Sequence, residues 1–182
     1  MQSFIAGACW FGTLVATFIG CGRSLGHTQQ DLYRTAFDYL KKSDRVYQYC
    51  RHDLHLSRDS CRLTPADSVV FPSLIFFQND LAEIKKVPAG ALIDSLMLEQ
   101  NERYKTFKPG SIHGMLQGAV DPTVLVVFSS PNGRYLTAEV VPYVLGESIH
   151  EAGRGRTSVL FLFIFDERGQ IQNVFNKSLI NE

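Results

Sequence analysis

Apolar and polar positions follow different periods along this chain, and the changes of period divide it. Residues 4–19, FIAGACWFGTLVATFI, show no period at all: every residue is apolar or small apart from Thr13 and Thr17. A helix made from them has no charged face, which suits a hydrophobic leader or membrane helix better than a helix lying on a water-exposed fold. A helical period begins after Thr28, where Thr28 followed by Asp31 is a helix-start signal. Leu32, Tyr33, Ala36, Phe37 and Leu40 line one side, with Gln30, Arg34, Asp38, Lys41 and Lys42 on the other. Over 45–50, Val46, Gln48 and Cys50 alternate with Tyr47 and Tyr49, which predicts a short strand.

The helical period returns downstream. Val69, Val70 and Phe71 favour extended backbone, but from Pro72 onward Leu74, Phe77, Leu81 and Ile84 recur at helical spacing and Lys85 and Lys86 suit a helix C-terminus. Val87, Pro88, Ala89 and Gly90 separate this helix from another built on Leu92, Ile93, Leu96, Met97 and Tyr104, which should end near Phe107 before Pro109 and Gly110. At Thr123 the pattern changes to strand. TVLVVFSS, the turn Pro131-Asn132-Gly133 and a return strand over 134–143 predict an antiparallel hairpin, with Pro142 at an edge or bulge. TSVLFLFIF, the turn 166–169 and a strand over 170–176 predict a second. The expected fold class is therefore α+β: N-terminal helices packed on one face of a C-terminal four-stranded antiparallel sheet, with a hydrophobic signal or anchor helix in front.

Composition narrows the class without naming a reaction. A length of 182 residues predicts one domain, over 28–182 once the leader (1–20) and a tether (21–27) are set aside. Hydrophobic residues make up 45% and charged residues 20%, which excludes wholesale disorder, a collagen-like repeat and a many-span membrane protein. Lys and Arg number 18, as do Asp and Glu, and this balance argues against nucleic acid as a partner. Every one of those charges lies at or beyond Arg23.

The leader ends in Phe18-Ile19-Gly20-Cys21, followed by Gly22 and a polar stretch. This resembles the lipobox of bacterial lipoproteins, in which a short apolar segment ends in a small residue before a Cys that receives a diacylglycerol thioether. Gly20 and Cys21 match the pattern; Phe18 and Ile19 stand where the family usually has Leu and a small residue, and no Lys or Arg precedes the apolar run. The resemblance implies cleavage before Cys21, acylation of its thiol and amine, and a domain exported into the cell envelope and held to membrane lipid. More than one acyl chain is what stable membrane residence requires. An uncleaved anchor is the competing expectation: Ala8, Gly12, Ala16 and Gly20 form a strip of small residues against which another membrane helix could pack.

With residues 1–20 removed and Cys21 acylated, Cys50 and Cys61 remain. An oxidised pair would close a polar loop and remove about 2.5–3 kcal/mol of unfolded-state freedom, as an exported protein permits. Two free thiols are the second reading. Zinc held by Cys50, His52, His55 and Cys61 is the third, at a spacing unlike the usual paired knuckles, and neither a metal nor another cofactor is expected.

No complete phosphate-binding loop, CxxC pair, HExxH helix or GxSxG elbow is present. His150, Glu151, Arg154 and Arg156 form the nearest candidate binding constellation, in a glycine-containing loop where the arginines could fork onto carboxylate or phosphate oxygens; a solvated strand connection explains the same residues more simply. Ser111, His113 and Asp121 supply the residue types of a hydrolytic triad without its geometry. No catalytic residue is therefore assigned. The expected function is an envelope lipoprotein with a ligand-binding, partner-binding or structural domain. An exported hydrolase or anion-handling enzyme and an inner-membrane accessory subunit with a retained anchor are the alternatives.

Overall fold

The computed structural model describes residues 28–72, 74–144, 146 and 155–180. The leader (1–20), Cys21, the tether (21–27), His150, Glu151 and Arg154 lie outside them.

Helix α1 spans Gln29–Leu40 and begins where the Thr28 signal places it. The Thr28 amide donates to Asp31 Oδ2 at 3.1 Å, and the Thr28 hydroxyl donates to the same oxygen at 2.7 Å. This arrangement satisfies one of the free donors at the helix start. Tyr33, Ala36, Phe37 and Leu40 are the buried stripe. Helix α2, Asp44–His52, occupies the stretch read from sequence as a strand. Its buried residues are Val46, Tyr49 and Cys50, a spacing of three and four, while Gln48 is exposed. The alternation was an accident of composition over a short window; burial follows the helical period.

Strand β1, Leu63–Pro65, has only three residues and ends in proline, too short to show an alternating pattern. The chain then makes a 3₁₀ turn at Leu74–Phe77 and enters helix α3, Gln78–Lys85, and helix α4, Ala89–Thr106. Lys86, in left-handed conformation, closes α3. Strands β2 (Val124–Phe128), β3 (Tyr135–Pro142), β4 (Thr157–Phe165) and β5 (Ile171–Ile180) follow.

The sheet has five strands in the order β1-β2-β3-β4-β5, with β1 parallel to β2 and the others antiparallel. The two expected hairpins are present, but the expectation of four antiparallel strands is corrected to a five-stranded mixed sheet. The parallel pair changes the layering as well. A parallel connection has to cross over the sheet, and here the crossover carries α3 and α4 onto the face opposite α1 and α2.

Alternate residues of β4 divide accordingly. Phe161, Phe163 and Phe165 pack with α1 and α2. Leu160, Leu162 and Ile164 pack under Leu81 of α3 and Leu92 and Leu96 of α4. This is why TSVLFLFIF is apolar at nearly every position: a strand covered on both faces has no solvent side. Leu125, Val127 and Val141 form a smaller cluster on the second face, with Ala66. Among the described residues no helix is long and apolar enough to cross a membrane.

Candidate functional site

Cys50 sits in the last turn of α2 and Cys61 just before β1, and both are buried, at 1% and 7% exposure. Their sulfurs stand at disulfide bonding distance, 1.97 Å, with Cα atoms 5.9 Å apart. Paired sulfurs leave no thiolate for the four-ligand zinc reading. His52 and His55 diverge from them: His52 lines a groove on α2, and His55 is an exposed loop residue with φ of 55°. Among the described residues no group of three or more His, Cys, Asp or Glu side chains is placed to hold a metal ion.

The loop closed by the two cysteines is held at several points. Leu56 N donates to Cys50 O at 2.8 Å, the Ser57 and Ser60 hydroxyls meet at 2.8 Å, and Thr123 Oγ1 donates to Ser60 O at 2.6 Å. Arg62 N donates in turn to Thr123 Oγ1 at 3.0 Å, tying the loop exit to the start of β2.

Between this loop and α2 lies an open groove of about 610 Å³. One wall is the solvent side of the helix, where Asp44, Tyr47 and Arg51 share a face at spacings of three and four and His52 follows; the other is the loop, which supplies Leu56 and Arg58. The Arg58 guanidinium lies over the Tyr47 ring, 4.3 Å from its centroid, and the Tyr47 hydroxyl donates to Lys41 O at 2.7 Å. Three basic side chains, Arg51, His52 and Arg58, thus line a cavity with an apolar floor, and Asp44 lies on the same helical face, one turn before Tyr47.

Behind the groove, Tyr49 points inward and its hydroxyl donates to Thr157 O at 2.6 Å. Burial pushes its phenol well above the ordinary range; the charges of Asp53 and Glu139 push the same way and Arg156 pulls it back. Arg156 stands half-buried just ahead of β4, next to Thr157, whose carbonyl oxygen accepts from the Tyr49 hydroxyl. The other members of its predicted constellation, His150, Glu151 and Arg154, lie outside the described residues.

Ser111 and His113 are brought together, though not as a triad. The Ser111 hydroxyl donates to Asp67 O at 3.1 Å and accepts from His113 N at 3.2 Å, while His113 Nδ1 pairs with Asp67 Oδ1 at 2.9 Å. The acid beside His113 is therefore Asp67, 46 residues away, and not Asp121. No local pattern announces a contact over that separation. The His113 and Asp67 side chains are 77% and 78% exposed. A cleft of about 460 Å³ opens beside Asp67, lined by Thr64, Ala66 and Tyr143 among others, and neither Ser111 nor His113 lines it.

Sequence reasoning passed over the groove. Tyr47 read as strand, and the residues between Cys50 and Cys61 as a polar loop. The available signal was the helical spacing of Asp44, Tyr47 and Arg51, visible only once α2 is known to be a helix. No family model, curated protein or solved structure matches the chain.

Proposed function

We propose that this protein is an exported envelope lipoprotein, held to a membrane by acyl chains on Cys21, whose α+β domain binds a small ligand or partner and does not turn over a substrate. The observation that carries the reading is the pair of sulfurs at bonding distance between Cys50 and Cys61. Such bonds form and persist in oxidising compartments outside the cytosol, and the uncharged leader ending in Gly20-Cys21 supplies the route there.

Binding is supported over catalysis by how the polar groups are used. The Ser111 hydroxyl holds loop backbone and does not face a base, and His113 and Asp67 pair in open solvent. A nucleophile and base need a shared, water-excluding cleft in which to act. The groove beside α2 gathers cations over apolar surface, the composition of a recognition site.

The groove and the start of α1 lie at opposite ends of the sheet. Thr28 enters at the end of the sheet where Tyr33 donates to Ser129 O after β2. The groove belongs to the opposite end, where Tyr49 meets the start of β4. The nine residues of β4 separate the two ends by about 26 Å at roughly 3.3 Å per residue.

Intact mass of protein extracted from membranes tests the reading. Loss of residues 1–20 with added acyl mass is expected, with both absent in Cys21→Ala. An unshortened, unacylated chain would replace the lipoprotein by a membrane protein that keeps its anchor.

A further inference from the structure

The groove between α2 and the 56–58 loop carries two arginines and a histidine for which no acidic partner is found among the described residues. Arg51 and His52 occupy the last turn of α2, where positive charge complements the helix dipole whether or not a ligand exists. Arg58 has no such role. It arrives from the facing loop, and its guanidinium lies over the Tyr47 ring, 4.3 Å from the centroid. Contact with the ring face helps hold the guanidinium in place and uses none of its N–H donors, which remain able to meet an acceptor.

We propose that this groove is a binding site for an organic carboxylate with an apolar body. The inference deepens the binding role given above and does not depend on the lipid anchor. The carboxylate is taken bidentately by Arg58, with Arg51 and His52 alongside, because a planar pair of oxygens matches the guanidinium fork. The apolar body lies along Tyr47 and Leu56, the half-buried apolar residues of the floor. Asp44, one turn before Tyr47 on the same face, disfavours a second anionic group, so monocarboxylates are selected over dicarboxylates. A volume of about 610 Å³ accommodates a body of one or two rings. The Cys50 to Cys61 link, together with the Ser57 and Ser60 hydroxyl contact, fixes the loop wall that carries Arg58; the site is thus organised before the ligand arrives, which lowers the ordering cost of binding.

Isothermal titration of the full-length protein in detergent, at low salt and pH 7, tests this with 4-phenylbutyrate, indole-3-acetate and hexanoate as probes, and 4-phenylbutyramide and inorganic phosphate as controls. Saturable binding of at least one carboxylate is expected, at least tenfold tighter than the amide or phosphate. Arg58→Ala should weaken it tenfold or more, Arg58→Lys less, and Arg51→Ala about fivefold, all with the melting temperature lowered by no more than about 4 °C, since both arginines are exposed. Asp44→Asn should narrow the preference for 4-phenylbutyrate over suberate. Failure of all three carboxylates to bind, equal binding of acid and amide, or unaltered affinity in Arg58→Ala overturns the proposal. Because the mass measurement above is read independently, a groove that does not bind on an acylated protein removes this inference alone, and a groove that binds on an unacylated chain removes the lipoprotein reading alone.

Discussion

Cutting the link between Cys50 and Cys61 isolates one contribution to stability without changing the sequence. The two residues are 11 apart. A closed loop of about that length removes roughly 9–10 cal/mol/K of chain entropy from the unfolded state, or about 3 kcal/mol at 25 °C. In a domain of this size each kcal/mol corresponds to roughly 2–4 °C in melting temperature. The reduced protein should therefore melt about 6–12 °C below the oxidised one. Urea titrations followed by far-ultraviolet circular dichroism, with and without dithiothreitol, give the free-energy difference directly; urea exposes the buried sulfurs, so reduction goes to completion. The folded-state contacts of Cys50 with the core are largely retained in the comparison, because both sulfurs remain. The denaturant slope should rise on reduction, since the unlinked chain expands further. A stability difference below 1 kcal/mol, or an unchanged thiol titre after reduction in urea, would refute the loop-closure account and with it the support this pair lends to an oxidising location.

Other perturbations follow from particular contacts. Gly118→Ala would place a Cβ against Thr64 Oγ1, 2.9 Å from Thr64 Cβ and 3.0 Å from Pro65 Cδ; a loss of about 1–3 kcal/mol is expected, read by thermal melting and partly recovered in the double variant with Thr64→Ala. Phe163→Ala removes a fully buried ring that meets Phe161 at 6.2 Å and Tyr39 at 5.6 Å between centroids, and calorimetry should register about 3–5 kcal/mol. Burial pushes the Tyr33 phenol up to about 12. A folded-state value above the unfolded one favours the fold while the group is neutral, so this contribution is complete below about pH 10 and is lost as pH rises towards 12. Denaturation of Tyr33→Phe should accordingly show a shallower alkaline decline than the parent, by up to about 1.4 kcal/mol per pH unit, and equal slopes would count against the buried phenol as the cause.

Elements whose residues carry their own period or turn chemistry need no tertiary context to be read. The Thr28 and Asp31 start of α1, the helical spacing through Leu81 and Leu96, and the two hairpins around Asn132-Gly133 and 166–169 were legible because capping, amphipathicity and turn geometry act between residues a few positions apart. So was the pairing option for Cys50 and Cys61. Tertiary structure alone decided the rest. β1 is a strand only because Leu63, Thr64 and Pro65 lie beside Val124, Leu125 and Val126. Burial of Val46, Tyr49 and Cys50 against the sheet selects helix over strand for α2, and that choice creates the groove by turning Asp44, Tyr47 and Arg51 to one side. Asp67 meets His113, and Arg58 meets Tyr47, through contacts that no short-range pattern encodes. The division is physical: local propensity is set by neighbours along the chain, whereas a site is a convergence of side chains whose separation is fixed only when distant segments are packed on a common core.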